Sequence, residues 1–332
     1  MIIGWVIFLV LGGSFILAIN KLYKKSTDYR NSRNDIKCFK NNLSSEYQIV
    51  NLGSTYSKFA FGAAGELGLN WGDFSLQAQS LEMDYVLFEK NISKIAPQGV
   101  VVITIAVCCP LYREAGENYL YYDLLDKNEN PSYKITSKLK SFFPLLFPVK
   151  LFPKKLFHLI RGVRPYKDIY DTFPQQMCEK SSIKEMENLV AVWKKLFEIK
   201  DFQVSDLKKK HYEIMERNCE ILKSIIKLCF DKKLRPVIVV PPFSKRLNKY
   251  FAEEFKECVL NQTINRAIEG MAVPFLDYQD DKMFQEGVWL FSDGGFRLNK
   301  QGSKLFIRQM AMDLKRYNIV INICDYYFID MC

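Results

Sequence analysis

Short apolar runs alternate with stretches of helical periodicity along most of the chain. The runs predicted as strands cover residues 47–52, 100–107, 236–241 and 273–277. The second run reads VVVITIAV, which is typical of a strand buried on both faces of a sheet. Apolar positions at helical spacing predict helices over residues 59–69, 74–95, 208–230, 248–269 and 301–317. This alternation predicts an α/β fold with a parallel sheet between two layers of helices.

The first 25 residues depart from this pattern and predict a membrane anchor. Residues 2–19 form an uncharged apolar run of 18 residues, long enough for a transmembrane helix. The flanking Lys and Arg follow this run instead of preceding it, so a cleaved signal peptide is not expected. The polar residues 26–46 would form a tether to the first strand. The positive-inside rule then favours a cytoplasmic location for the body of the protein.

A basic and apolar insertion is predicted between residues 110 and 180. Eight Lys and Arg, and no Asp or Glu, lie between residues 138 and 167 among Phe, Leu and Pro. This mixture favours contact with anionic membrane lipid, with Lys150, Lys154 and Lys155 facing the membrane. A lid over a pocket and a packed subdomain are the alternatives. A nucleic-acid partner is not expected, since the sequence carries no zinc-finger spacing, Walker loop or helix-turn-helix signature.

Composition narrows the class of protein. The 332 residues are 48% hydrophobic and 25% charged, with a formal net charge of +10, as expected for a basic globular protein. The nine cysteines include no C-x-x-C pair, which favours free thiols and a reducing compartment. No His, Lys or Arg stands next to Cys108 and Cys109 in the sequence, so we expect them to be structural thiols. No metal or cofactor is predicted.

The end of the first predicted strand is the most informative stretch. The apolar run stops at Leu52, and Gly53, Ser54 and Thr55 follow it. Gly53 would supply a tight turn, because glycine adopts positive φ without steric cost. A hydroxyl at the start of the next helix would lie beside unpaired backbone N–H groups. Ser54 or Thr55 is therefore either a nucleophile beside an oxyanion hole or an ordinary helix N-cap.

A second stretch near the C-terminus leads to a family resemblance. Residues 291–303 read FSDGGFRLNKQGS, in which Asp293 precedes a Leu-Asn pair and a Gly. Together with Leu52-Gly53-Ser54-Thr55, this stretch resembles the SGNH, or GDSL-type, hydrolase superfamily. That family begins with a Leu-Gly-Ser-Ser block and ends with Asp-x-x-His-Leu-Asn-x-x-Gly. The similarity is greatest to the membrane-anchored branch associated with bacterial surface-polysaccharide and teichoic-acid modification.

The resemblance implies a three-layer, flavodoxin-like SGNH domain over residues 47–320, with residues 321–332 as a tail. It implies an ester hydrolase or O-acyltransferase in which Ser54 or Thr55 is the nucleophile and Asp293 belongs to the triad. It further implies oxyanion or binding roles for five Gly and Asn residues: Gly53, Gly68, Asn70, Gly72 and Asn299. The family is extracytoplasmic, against the charge rule and the cysteines, so the side of the membrane stays open.

One position departs from the family pattern in a way that bears on activity. The family's general base is a His. Counting back from Leu298-Asn299 places Arg297 there, and counting forward from Asp293 places Phe296 there. A guanidinium, with a pKa above about 12, cannot take a proton from a hydroxyl. The two His residues, His158 and His211, lie far from both motifs in the sequence. A pair of Asp293 with Arg297 would brace the loop, hold an anionic sugar or phosphate, or contribute nothing.

The predicted function is a membrane-anchored SGNH hydrolase-like protein with an impaired triad and a binding role in surface-polysaccharide assembly or modification. Its partners would be membrane lipid and a glycan, an acyl donor or a polysaccharide-assembly protein. An active esterase or O-acyltransferase using Ser54 or Thr55 is one alternative. A structural membrane-associated scaffold is the other. Both hydrolase-like hypotheses require the hydroxyls after Gly53 to face the loop of Asp293 at the carboxyl edge of the sheet.

Overall fold

The chain folds into two compact units. The computed structural model describes residues 2–26, 29–30, 33, 36, 39, 46–113, 121–131, 133–147, 149–161, 179–286, 290–292 and 295–323. Unit 1 comprises residues 1–40 and 114–171, and unit 2 comprises residues 41–113 and 172–332. Most of the predicted insertion therefore groups with the N-terminal residues, and the predicted strands all belong to unit 2. Most of the predicted tether, and the tail from residue 324, lie outside the described residues.

Unit 2 is built on a five-stranded parallel sheet. The strands are β1 (Tyr47–Leu52), β2 (Trp71–Asp73), β3 (Ile95–Thr104), β4 (Arg235–Val240) and β5 (Phe275–Asp277). They lie in the order β2-β1-β3-β4-β5, and every neighbouring pair is parallel. This is the strand order of a doubly wound, flavodoxin-like sheet. The predicted α/β class with a parallel sheet is confirmed.

Helices make up most of the remaining regular structure. In chain order they are α1 (Ile2–Lys25), α2 (Thr55–Ala60), α3 (Leu81–Asn91), α4 (Ile135–Phe142), α5 (Phe152–Arg161), α6 (Glu179–Phe197), α7 (Lys209–Asp231), α8 (Lys245–Asn248), α9 (Glu253–Lys256), α10 (Gln262–Ile268), α11 (Lys282–Glu286) and α12 (Lys300–Leu314). A π-helical turn, Glu257–Asn261, joins α9 to α10. Helices α1, α4 and α5 belong to unit 1, and the others belong to unit 2.

Helices cover both faces of the sheet in unit 2. On one face, side chains of α2 and α12 form a buried cluster with Ile49, Val102 and Val237 of the strands. Alternate residues of a strand point to opposite faces, so Ile103 and Ile238, both fully buried, face the other side. There α7 contacts β4 and α3. The central strands are therefore apolar throughout because both of their faces are covered.

One buried hydroxyl ties the last helix to the first strand–helix unit. Ser303 Oγ on α12 donates to Ala60 O at 2.8 Å and accepts from Ala63 N at 3.0 Å. The side chain is fully buried. These bonds join segments that are 240 or more residues apart in the chain.

Several predicted element boundaries are wrong. Residues 71–73 form β2, an edge strand of three residues that the sequence pattern did not predict. The helix expected over residues 74–95 begins at Leu81, because the Ser80 side chain caps it by accepting from Met83 N. The helix expected over residues 59–69 begins earlier, at Thr55, and is followed by a short 3-10 helix. Helix α6 was not predicted.

In unit 1, hydrogen bonds join α1 to the end of α4. Asn20 Nδ2 donates to Phe142 O at 2.9 Å. The transmembrane helix expected at residues 2–19 is not supported, since no helix in the described part of the chain is long and apolar enough to cross a bilayer. Lys155, which was predicted to face the membrane, donates from Nζ to Pro144 O at 2.6 Å and to Phe147 O. Lys150 and Lys154 are exposed.

We expect Gly53→Ala to destabilise unit 2 more than Gly270→Ala does. Both glycines have positive φ, of +124° and +72°, which costs an Ala about 1–2 kcal/mol. A Cβ on Gly270 would meet nothing within 4 Å, whereas one on Gly53 would lie 2.8 Å from Thr104 O. This contact adds roughly 1–3 kcal/mol. Urea denaturation of the two variants measures the difference, and equal destabilisation would contradict the tight approach at Gly53.

Candidate functional site

A pocket of about 290 Å³ opens at the carboxyl edge of the sheet in unit 2. Its walls come from the segments that follow successive strands: residues 54–56 after β1, 77–79 after β2, 106–109 after β3 and Phe243 after β4. Helix α6 and residues 296–297 complete it. The loops after parallel strands meet at this edge, which is where such sheets hold their ligands.

The turn after β1 brings Ser54 to this pocket. Gly53 has φ +124°, as expected for the tight turn. Ser54 stands at the N-cap position of α2, but its side chain makes no capping bond. Ser54 Oγ instead accepts a hydrogen bond from Gln79 N at 3.2 Å. The reading of Ser54 as an ordinary N-cap side chain is therefore not supported, and both Ser54 and Thr55 line the pocket.

A buried carboxylate holds this turn, and the sequence analysis missed it. Asp84 Oδ1, on α3, accepts hydrogen bonds from Gly53 N at 2.8 Å and from Gln79 Nε2. Asp84 is 1% exposed, and burial raises the pKa of its carboxyl from 3.8 to about 7. Its position between the apolar Leu81, Met83 and Leu87, all of them buried, was the available signal. An acid within such a set must find hydrogen-bond donors.

A second polar network lies beneath the same turn. Asn51 Nδ2 donates to Ser57 Oγ at 2.8 Å and to Asp73 Oδ1 at 3.1 Å. Trp71 Nε1 donates to Asn51 Oδ1 at 2.6 Å, and Ser57 Oγ donates to Thr104 Oγ1 at 3.0 Å. These bonds link the carboxyl ends of the three strands β1, β2 and β3. The network fixes the strand ends from which the pocket loops start.

The two thiols of the pocket have the character of structural groups. Tyr56 OH and Cys109 Sγ lie 2.6 Å apart in a hydrogen bond, and Ala106 N donates to the same sulfur at 3.2 Å. Burial raises the pKa of Cys109 to about 12 and also raises the pKa of Cys108. A thiol that stays protonated at neutral pH is a poor nucleophile.

Arg297 lines the same pocket as Ser54 and Thr55. Its guanidinium carbon lies 5.3 Å from the centre of the Phe59 ring. The neighbouring Phe296 ring lies 6.1 Å from the ring of Tyr56. Residues 296–297 therefore lie beside the turn after β1 and the start of α2. Asp293 lies outside the described residues.

No imidazole is found among the described residues that line the pocket. His211 is 2% exposed at the start of α7. Its Nδ1 accepts from Lys208 N at 2.9 Å and its Nε2 lies 2.9 Å from Phe197 O. The His158 side chain is outside the described residues. The described lining thus includes the hydroxyls of Ser54 and Thr55 and the guanidinium of Arg297, and no His is found among these residues.

Gly68 and Asn70, for which oxyanion or binding roles were expected, are not among the described residues that line the pocket. Asn70 O accepts from Gln48 N and Ile49 N at the amino end of β1. Strands rise about 3.3 Å per residue, so Asn70 lies roughly 16 Å from Ser54 along the sheet. Gly68 has φ +72° and ends the 3-10 helix before β2.

Gly72 and Asn299 have structural roles in the described part of unit 2. Gly72 lies within β2, where a Cβ would come within 2.7 Å of the Tyr47 ring. Asn299 caps α12, its side chain accepting from Gly302 N at 2.9 Å. In the described part of the chain, the backbone N–H that contacts Ser54 Oγ belongs to Gln79. Gln79 follows β2 and was not among the predicted site residues.

Neither a metal site nor a relative adds to this picture. In the parts of the chain that the structure describes, no group of three or more His, Cys, Asp or Glu is placed to hold a metal ion. The chain matches no protein-family model and no curated protein.

We expect Asp84→Asn to alter how stability depends on pH. The folded state binds the Asp84 proton more tightly, with a pKa of about 7 against about 3.9 in the unfolded chain. The contribution of Asp84 to the free energy of unfolding is therefore fully present below about pH 4 and is lost as the pH rises towards 7. The wild type loses up to about 4 kcal/mol in this way. An Asn side chain does not ionise, so the free energy of unfolding of the variant would not fall with pH for this reason.

Urea denaturation between pH 4 and 8 measures this effect as the difference between the variant and the wild type. The difference should grow with pH in favour of Asp84→Asn. Glu89→Gln, which removes an exposed carboxylate from the same helix, is the matched control and should show little change. A difference for Asp84→Asn that stays constant over this range would contradict a raised pKa.

Proposed function

We propose that unit 2 is an SGNH hydrolase-like domain that binds its ligand without hydrolysing it. The ligand would be a surface glycan or the acyl donor used to modify one, in the assembly of a bacterial surface polysaccharide. The observation that carries the proposal is the shared pocket of Ser54, Thr55 and Arg297. The surface-polysaccharide setting rests on the family resemblance of the two motifs.

The chemistry of the described site supports binding over hydrolysis. A serine needs a neighbouring base to lose its proton, and loss of general-base catalysis costs roughly 10²–10⁴-fold in rate. Arg297 stands at the base position and stays protonated at physiological pH. Asp84 belongs to the hydrogen-bond network of this turn, but it does not line the pocket and its Oδ1 is held by Gly53 N and Gln79 Nε2. A guanidinium in an apolar pocket is instead suited to holding an anion or a carbonyl oxygen.

An active esterase or O-acyltransferase is the second candidate. It is favoured by the Ser54 hydroxyl, which lies on the pocket and is not engaged in capping α2. The Gln79 N–H beside Ser54 Oγ would then act as one oxyanion donor. This reading requires a base from outside the described residues.

Labelling with a fluorophosphonate probe separates the two candidates. We expect the purified full chain to show no labelling above that of Ser54→Ala, because no described group can activate the hydroxyl. A serine esterase labelled in parallel is the positive control. Labelling of the wild type that is lost in Ser54→Ala and kept in Thr55→Ala would overturn the non-hydrolytic proposal and establish Ser54 as a nucleophile.

We further propose that unit 1 contacts an anionic lipid surface through α5. Phe157 and Ile160 are 51% and 75% exposed on this helix. Lys154 and Arg161 are exposed beside them, and the Arg161 guanidinium lies 4.8 Å from the Phe157 ring centre. An amphipathic helix with exposed aromatic and aliphatic side chains bordered by cations is suited to an anionic membrane interface.

Vesicle flotation of the full chain tests this contact. Lys154→Glu with Arg161→Glu should lower binding to vesicles containing anionic phospholipid by tenfold or more, at about 1 kcal/mol per basic residue removed. Lys227→Glu with Lys245→Glu, on exposed positions of unit 2, makes the same charge change and should leave binding nearly unchanged. Equal loss in both double variants would assign the effect to net charge and contradict a contact through α5.

A further inference from the structure

One wall of the pocket is an apolar stripe on α6. Leu189, Val192, Trp193, Leu196 and Phe197 all line the pocket and recur at i, i+3, i+4, i+7 and i+8, the spacing of one helix face. Val192 and Leu196 are 60% and 54% exposed. Covering such exposed apolar side chains with a ligand removes apolar surface from water, which favours binding.

The rest of the wall extends this apolar surface. The Trp193 ring packs edge-on against Phe296, with centroids 4.9 Å apart, and stacks on Phe243 at 6.4 Å. Phe296 and Phe243 lie 5.7 Å apart. The rings form one continuous aromatic surface that reaches from α6 to the turn of Ser54. Such a surface accommodates hydrocarbon and supplies few hydrogen bonds for the hydroxyls of a sugar.

The charges on the wall favour a ligand with an anionic or carbonyl end. Arg297 is the charged residue among the described lining residues, and no Asp or Glu is found among them. Ser54 and Thr55 add two hydroxyls on the same wall. The polar groups thus border the aromatic surface and present donors to the end of an inserted chain.

We infer that this pocket binds a single acyl chain, with its carboxylate or carbonyl end towards Arg297 and Ser54. The inference deepens the proposed function by naming the part of the ligand that unit 2 holds, and it rests on that proposal. A volume of about 290 Å³ holds about ten groups of the size of a water molecule, at about 30 Å³ each. A methylene group is of similar size, so the pocket suits a chain of about ten carbons.

Calorimetric titration of the full chain with decanoate, below its micelle concentration, tests the inference. Each methylene buried should tighten binding about fourfold, so hexanoate should bind at least fiftyfold more weakly than decanoate. Chains much longer than ten carbons should gain nothing further. Arg297→Gln should weaken decanoate and leave decanol, which lacks the charge, nearly unchanged.

A matched pair of variants separates the pocket from other apolar surfaces of the chain. Val192→Asn places an amide on the stripe and should weaken decanoate at least tenfold. Val204→Asn makes the same change at another exposed valine, 37% exposed and outside the pocket lining, and should bind as the wild type does. Equal binding by the two variants, or no decanoate binding at all, would overturn the inference.

Two further results distinguish the failure of this inference from that of the proposed function. Fluorophosphonate labelling at Ser54 together with Val192-dependent decanoate binding would overturn non-hydrolytic binding and support the acyl pocket. Absence of both labelling and decanoate binding would overturn the acyl pocket alone. Sedimentation that shows a dimer lost in Val192→Asn would assign the stripe to a second copy of the chain and also overturn the acyl inference.

Discussion

The hydrogen bond from Gly53 N to Asp84 Oδ1 is the constraint on which the site of unit 2 depends. It fixes a turn at φ +124°, where the backbone approaches Thr104 too closely for any side chain. The same carboxylate binds Gln79, whose backbone N–H reaches Ser54 Oγ. One buried acid on α3 therefore sets the position of the loop after β1 and of the loop after β2. The placement of the pocket hydroxyls follows from it.

One side of the pocket is formed by the loops at this edge of the sheet, and another side is formed by helix α6. Strands β1 to β4 supply the loops on one side, and those strands are fixed by the parallel ladder and by the network around Asn51. Helix α6 lies between β3 and β4 in the chain, in addition to α7, the helix that leads into β4. It supplies bulk and apolar surface instead of catalytic groups. This composition underlies the proposal that the site holds a hydrocarbon group instead of activating water.

The elements that could be predicted from the sequence are those with a long or uniform pattern. β1 and β4 lie within one residue of the apolar runs that predicted them, because strands covered on both faces need apolar residues throughout. β3 overlaps the predicted run 100–107 but begins at Ile95 and ends at Thr104. β2 has three residues and contains Gly72, too short for any period to show. The sequence marks Asp84 as an acid between buried apolar residues, but its role depends on the fold, which brings Gly53 N to it from 31 residues away. Ser54 and Arg297 line one pocket, and the expectation that their two segments would share an edge of the sheet came from the hydrolase-like hypotheses.

The bonds of Ser303 to Ala60 and Ala63 also bear on how the protein is made. A ribosome delivers the segment of Ser54 early and that of Arg297 and Ser303 late, and the edge of the sheet needs both. In a nascent chain, the apolar face of the sheet that packs against α12 therefore stays exposed until α12 has left the ribosome. Non-local closure of this kind slows folding and lengthens the exposure of apolar strands to aggregation. The pocket is therefore completed only after the segment of Arg297 and Ser303 has been synthesised, and we expect chaperones to assist before that point.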